Sequence, residues 1–295
     1  MATATELPAA TAPPGPNVSA PARTGRILQR ILLYASLSMA SFVFLLPVLW
    51  MLFASVKPEG LILSNPSQLF PTHFTWTNYT DAFQAIPFAR QSLNTLIFAG
   101  SVTILSLLFD SMMAYALARL DVPGKKLLFL LVLLFLMMPT QITLIPVYQL
   151  LAHLNLINTF PGLIIPRATN AFGIFFLRQF FIGIPKDLSE AARIDGANEF
   201  RIYWSIVMPL ARPALLTLGL FHFMFNWNDL LWPLIISTSA DMATLPAGLA
   251  EFGGEHVVQY GLLMAGATMA MLPMLVAFLL VQRKFIQGIA TTGFK

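Results

Sequence analysis

The stretch that decides the fold is polar and lies between two apolar segments: Glu190-Ala191-Ala192-Arg193-Ile194-Asp195-Gly196-Ala197, followed by Pro209 and Pro213. Asp187 stands three residues before Glu190, and this spacing predicts a reciprocal cap at the start of a helix. Gly196 is suited to the left-handed conformation that ends a helix. The sequence therefore predicts a short helix, a sharp turn and a second helix.

The second predicted helix begins at Asn198 and carries an apolar face. Its large side chains recur at i, i+3, i+4 and i+7: Phe200, Tyr203, Trp204 and Val207. This spacing places them on one side of a helix, and Glu199 and Arg201 are expected to point away. Because an apolar face must pack against something, we interpret the segment as a docking element and not as a catalytic one.

Composition identifies an integral membrane protein. Hydrophobic residues make up 57% of the 295 residues and charged residues 10%, and the mean hydropathy is +0.74. These values exclude an ordinary soluble domain. The chain has no cysteine, which excludes disulfides, thiolate metal ligands and a cysteine nucleophile.

Six stretches are long and apolar enough to cross a membrane. A bilayer core requires about twenty apolar residues per helix, and this length recurs at residues 31–54, 92–118, 127–150, 160–182, 214–236 and 259–281. We therefore predict an all-α, polytopic domain of six transmembrane helices over residues 26–295. Residues 1–25 are rich in alanine and proline, so we predict a disordered cytoplasmic tail there.

The basic residues predict the orientation. Of the 17 lysines and arginines, all but Lys57, Arg90 and Arg167 lie in the predicted tails and even-numbered loops. Lysine and arginine concentrate on the cytoplasmic side of membrane proteins. Both termini and the loop at about residues 186–212 are therefore expected in the cytoplasm.

The quoted loop, with Met208-Pro209 after it and then Pro213, resembles the EAA loop of ATP-binding-cassette (ABC) importer permeases. Phe176-Leu177-Arg178-Gln179-Phe180-Phe181 and Trp227-Asn228-Asp229-Leu230-Leu231-Trp232-Pro233 resemble the carbohydrate-uptake branch, the permeases similar to the second membrane subunit of the maltose system. The resemblance runs from about residue 31 to the end. It implies the type I importer permease fold.

The resemblance also implies a site and a set of partners. The site is the coupling helix that contacts an ATPase: Glu190, Ala191, Ala192, Asp195, Gly196, Ala197, Pro209 and Pro213. The implied partners are a second homologous permease, two ATPase subunits and an extracytoplasmic sugar-binding protein, at a prokaryotic inner membrane. The sequence has no G-x-x-x-x-G-K-[ST] phosphate loop, so ATP and magnesium are expected on the ATPase, with no cofactor and no catalytic residue on this chain.

The cargo and the energy source have alternatives. A neutral sugar is favoured because only three basic residues are predicted on the outer side, whereas glycerol 3-phosphate is carried by relatives of this branch. A secondary transporter without an ATPase would show inverted repeats and several acids inside the spans. We find no convincing repeat, and Asp110 and Asp229 are the clear intramembrane acids.

The fifth predicted span contains a candidate sugar pathway: Asn226, Trp227, Asn228, Asp229 and Trp232. An aromatic face stacks on the C–H groups of a sugar while amides and carboxylates bind its hydroxyls. The alternative is that these residues hold a helix contact or a partner subunit.

Two further polar residues within the spans are interpreted as structural. Asp110 lies two turns before Arg119, so an ion pair or an interface hydrogen bond is expected. His222 is interpreted as a packing residue. His73, His153, His222 and His256 show no metal-ligand spacing, and no metal site is predicted.

Overall fold

The structure, a computed structural model, describes residues 23–65, 68–254 and 258–292. All regular structure in these residues is helical, which confirms the predicted all-α fold. Most of the predicted tail, residues 1–22, lies outside the described residues, and the first helix begins at Arg23.

The helices follow one another as α1 (Arg23–Ser55), α2 (Glu59–Ser64), α3 (Thr77–Ala85), α4 (Phe88–Arg119), α5 (Lys125–Met137), α6 (Leu144–His153), α7 (Phe160–Ile164), α8 (Ala171–Ile182), α9 (Asp187–Ile194), α10 (Glu199–Ile202), α11 (Met208–Leu210), α12 (Arg212–Trp227), α13 (Leu231–Ile236), α14 (Leu245–Ala250) and α15 (Tyr260–Thr292). A short 3-10 turn precedes α6 at Thr140–Thr143. Two others follow α7, at Ile165–Arg167, and α14, at Glu251–Gly253. A π-type turn at Tyr203–Val207 joins α10 to α11.

Three of the predicted spans are unbroken helices, and the other three, at 127–150, 160–182 and 214–236, are each interrupted. The unbroken ones are Ile27–Ser55, Phe88–Arg119 and Tyr260–Leu280. The bent pairs are Lys125–Met137 with Thr140–His153 at 96°, Phe160–Arg167 with Ala171–Ile182 at 42°, and Glu199–Leu210 with Arg212–Trp227 at 79°. The third pair begins in the predicted docking loop and ends inside the predicted span at 214–236. Counting each bent pair as one span gives up to six spans in the described residues.

Prolines account for two of the bends. Met138 precedes Pro139 and is extended, with φ −76° and ψ 128°, because proline disfavours the helical conformation of the residue before it. Pro213 stands at the start of α12, where proline is tolerated and where the incoming helix must stop. The predicted span at 214–236 is also interrupted, between Trp227 and Leu231.

The described residues fall into two compact units, one ending at residue 50 and the other beginning at residue 51. In the second unit α4 is the central helix and packs against α8 and α12. The contact between them is filled by fully buried side chains that include Leu177, Phe181, Ile202, Val207 and Leu218. Within a bilayer such helices are held together by close packing and interhelical hydrogen bonds.

Candidate functional site

The quoted polar stretch forms the predicted helix, turn and helix. Helix α9 covers Asp187–Ile194. The predicted reciprocal cap is wrong, because Lys186 occupies the cap position without a side-chain hydrogen bond and Asp187 is already the first helical residue. Asp187 and Glu190 instead lie in the first turn, where negative charge is stabilised by the helix dipole.

The turn after α9 has the predicted geometry. Gly196 has φ +81°, its amide donates to the Arg193 carbonyl at 3.0 Å, and the Ala197 amide donates to the Ala192 carbonyl at 2.9 Å. This pair of bonds defines a Schellman motif. Asn198 then caps α10 by accepting from the Arg201 amide at 2.8 Å, so the second helix begins where predicted.

The predicted apolar face of the second helix is divided. Tyr203 and Val207 are buried, but Phe200 is 68% exposed and Trp204 54% exposed. We attribute this to the π-type turn at Tyr203–Val207. In a wider turn, residues four apart stay on the same side of the helix, whereas residues three apart point to different sides. One face therefore packs inward, and a second aromatic pair faces outward.

Glu199 does not point away as predicted but joins two other elements. One carboxylate oxygen accepts from Arg193 Nε at 2.7 Å and the other from the Tyr115 hydroxyl at 2.7 Å. The hydrogen bond from Arg193 holds the pKa of the Glu199 carboxyl below its ordinary value against the effect of partial burial, and the bond from Tyr115 adds to this. Arg201 is exposed, as predicted.

The predicted coupling residues lie on both sides of the loop. Glu190, Ala191, Asp195, Gly196, Pro209 and Pro213 are exposed, whereas Ala192 and Ala197 are half-buried and pack against the core. Sequence reasoning missed Ile194, which is 87% exposed at the end of α9. The sequence did contain an indication of this exposure. Ile194 stands between the charged Arg193 and Asp195, and its position differs from the inward-facing positions of Ala192 and Ala197.

A second candidate site is a cavity of about 850 Å³ between α8, α12 and the segment before α13. Its polar wall contains Arg167, Thr169, Asn170, His222, Asn228 and Asp229, and its apolar wall includes Phe172, Phe221 and Phe225. Arg167 and Asp229 form an ion pair at 2.6 Å. The Arg167 guanidinium lies 5.9 Å from the Phe225 ring centre and 5.4 Å from that of Trp232, within cation–π distance.

The structure divides the predicted pathway residues. Asn226, Asn228 and Asp229 line this cavity. Trp227 is buried, does not line it, and donates its indole N–H to the Ala270 carbonyl at 3.2 Å. The Trp232 indole donates to the Leu163 carbonyl at 3.0 Å, and this residue lines a neighbouring cavity of about 160 Å³. The phenylalanines, and not the two tryptophans, supply the aromatic wall of the larger cavity.

Arg167 was expected on the outer side and was not assigned to the pathway. The signal for it was an arginine inside an apolar stretch, since ionisable residues within spans face cavities or partners. Its partner Asp229 is 62 residues away in the sequence, and short-range patterns do not reveal such a pair.

Asp110 was predicted to form either an ion pair or an interface hydrogen bond, and it forms the hydrogen bond. Its carboxylate is fully buried and accepts from the Thr169 hydroxyl at 2.7 Å and the Asn170 amide at 2.9 Å. The predicted ion pair with Arg119 is wrong, because Arg119 donates to the carbonyls of Phe181 and Ile184. These bonds tie α4 to both ends of α8.

His222 packs beside this carboxylate, in agreement with its interpretation as a packing residue. Its Nε2 lies 3.3 Å from Asp110 Oδ2. Gly173 on α8 leaves room for both groups, since a Cβ there would overlap the carboxylate.

Known proteins are similar to this chain in sequence. Residues 111–291 match the family described as the binding-protein-dependent transport system inner membrane component. The arabinooligosaccharides transport system permease protein AraQ of Halalkalibacterium halodurans is 36% identical over 267 residues, which cover 90% of this chain and 96% of that protein. The sn-glycerol-3-phosphate transport system permease protein UgpE of Yersinia pestis biovar Antiqua is 32% identical, over 80% of this chain and 87% of that protein.

A solved structure shares the fold. A chain in the crystal structure of a bacterial ABC transporter involved in the import of the acidic polysaccharide alginate matches with a TM-score of 0.77. It is 23% identical, and the match covers 90% of this chain and 98% of that chain.

These matches identify the chain as a permease subunit of a membrane importer. The chain belongs to the family of binding-protein-dependent transport system inner membrane components, in the carbohydrate-uptake branch of ABC importers. It is a multi-pass protein of the inner membrane, and its importer works with a substrate-binding protein.

Proposed function

We propose that this chain forms half of the translocation pathway of an ATP-driven carbohydrate importer and transmits ATPase closure through α9. The main support for this proposal is the exposed surface of the loop. Ile194 exposes 87% of its surface between the exposed charges of Glu190 and Asp195. A large apolar side chain within a polar rim is typical of a residue that anchors a protein interface.

The proposed assembly contains a second homologous permease, two ATPase subunits and an extracytoplasmic sugar-binding protein. ATP and magnesium bind to the ATPase subunits, and this chain carries neither a cofactor nor a catalytic residue. The distribution of lysine and arginine supports cytoplasmic termini and a cytoplasmic α9. An α9 on that side is where a cytoplasmic ATPase would reach it.

We assign the cargo as a neutral carbohydrate. The ion pair of Arg167 with Asp229 in the wall of the cavity has no net charge, and it stands beside amides and phenylalanine rings. Charged and amide groups bind hydroxyls, while aromatic faces pack on C–H groups. Glycerol 3-phosphate is the second candidate, favoured by the relative UgpE and by the presence of Arg167, which would bind a phosphate if Asp229 released it.

The docking proposal is tested by Ile194→Asp in the affinity-tagged chain. A charge buried in the interface is expected to weaken ATPase binding by about 2 kcal/mol or more, roughly thirtyfold in affinity. The measurement is the amount of ATPase that co-purifies in mild detergent, with proteins identified by mass spectrometry.

The conservative variant Ile194→Val keeps the apolar contact and serves as the matched control, for which full ATPase recovery is expected. Full recovery with Ile194→Asp would contradict the assignment of Ile194. A wild-type chain that purifies alone and still transports would instead support the secondary transporter.

The cargo proposal is tested by Asp229→Asn. This change leaves the Arg167 charge unpaired in the cavity, so uptake of the neutral sugar is expected to fall about tenfold, while phosphorylated or carboxylated sugars compete better. Uptake into vesicles with neutral and anionic competitors measures both effects.

The matched control is Asp241→Asn, because Asp241 is exposed and does not line the cavity. Unchanged competition in Asp229→Asn would exclude the cavity as the sugar site. Loss of the whole assembly would assign Asp229 to a structural contact.

A further inference from the structure

Three residues from different helices meet where α4 ends beside the loop. Tyr115 is on α4, Arg193 on α9 and Glu199 on α10; we call them the Tyr115 cluster. Glu199 is the shared acceptor, with both of its bonds at 2.7 Å. Tyr115 is 4% exposed, so its hydroxyl reaches the loop from inside the core.

Neighbouring bonds on the same face of α4 join it to the adjoining elements. The Ser111 hydroxyl is 2.7 Å from the Tyr203 hydroxyl, and the Tyr115 and Tyr203 rings are 5.3 Å apart. Arg119 donates to the carbonyls of Phe181 and Ile184 at the end of α8. Positions 111, 115 and 119 follow at i, i+4 and i+8, which places them along one side of the helix.

The two helices of the loop are short. Helix α9 covers only Asp187–Ile194, and α10 only Glu199–Ile202. Such short helices are marginal without tertiary contacts. The Arg193–Glu199 bond fixes the two helices to each other, and the Tyr115–Glu199 bond fixes the pair to a helix that runs through the membrane.

We infer that the Tyr115 cluster transmits movement of α9 to α4, with Tyr115, Arg193 and Glu199 as positioning residues for transport. The inference rests on the proposed coupling to an ATPase. Movement of α9 displaces Glu199 through Arg193, and Glu199 displaces α4 through the Tyr115 hydroxyl. Helix α4 also carries Asp110, whose bonds reach Thr169 and Asn170 in the wall of the cavity, so the cluster connects the docking loop to the cavity.

The test is Tyr115→Phe in the reconstituted transporter. The variant removes one hydroxyl and keeps the ring that packs on Tyr203. ATP hydrolysis is expected to stay within about twofold of wild type while the amount of sugar transported per ATP falls about tenfold, the effect of losing a hydrogen bond to a charged group. Both rates are measured on the same vesicles.

A second variant tests the shared acceptor. Glu199→Gln keeps an acceptor for Tyr115 but loses the charge that pairs with Arg193, and a drop in sugar transported per ATP is expected here too. The double variant is expected to lose less than the product of the single losses, because both changes act on one network. The control is Asp121→Asn, which removes an exposed ion pair to Lys125 nearby and is expected to leave the ratio unchanged.

The outcomes distinguish a failure of this inference from a failure of the docking proposal. An unchanged ratio in Tyr115→Phe, or a parallel fall in ATP hydrolysis and uptake, would overturn the inference and leave the docking proposal intact. A wild-type chain that recruits no ATPase would overturn the docking proposal and the inference with it.

Discussion

Gly196→Pro is expected to abolish uptake while the chain still inserts into the membrane. Gly196 has φ +81°, which proline cannot adopt, and its amide donates to Arg193, a bond that proline cannot make. The expected cost is about 3 kcal/mol, which lowers the population of the correctly folded loop roughly a hundredfold. Two short helices do not provide enough stability to offset it. ATP-driven uptake is compared with the amount of chain in the membrane.

The matched control is Gly196→Asn, since asparagine tolerates the left-handed conformation and keeps its amide. A Cβ at this position meets no atom within 4 Å, so asparagine is expected to retain most of the uptake. Normal uptake with proline would show that the turn is not needed for coupling.

Gly173→Ala is expected to destabilise the membrane core. The added Cβ would overlap the Asp110 carboxylate and lie 3.0 Å from His222 Nε2. Both overpacking and the disturbance of a buried, hydrogen-bonded carboxylate cost about 1–3 kcal/mol each, so a fall of roughly 5–15 °C in the unfolding midpoint is expected. Thermal unfolding of the purified protein in detergent measures it.

Gly100→Ala provides the control for the same chemical change in a spanning helix. Its Cβ would meet nothing within 4 Å, and alanine is the better helix former, so no loss of stability is expected. Equal midpoints for the two variants would contradict the close approach of α8 to Asp110.

The sequence predicts where the long apolar helices lie, because each depends on one long apolar run, which is a local property. It predicts the bends less well. Pro139 and Pro213 signal two of them, but the break between Trp227 and Leu231 follows from side-chain chemistry: Asp229 accepts from the Trp232 amide at 3.3 Å, and such bonds compete with helical ones.

The candidate site divides in the same way. The turn at Gly196 and the cap at Asn198 were predictable, since each depends on a few consecutive residues. The bonds of Glu199 to Tyr115 and of Arg167 to Asp229 join residues 84 and 62 positions apart. These pairs are brought together by the packing of the spans, which no periodicity in the sequence predicts.

The pairing of Arg167 with Asp229 also bears on the electrical energy of the transport cycle. Moving one elementary charge across a membrane costs about 2.3 kcal/mol per 100 mV. A cavity wall that carries both charges together moves none when it changes sides, and a neutral sugar adds none. For the proposed neutral sugar, uptake is therefore expected to be insensitive to membrane voltage, and it would continue in a cell whose membrane potential has collapsed as long as the proposed ATPase partner has ATP.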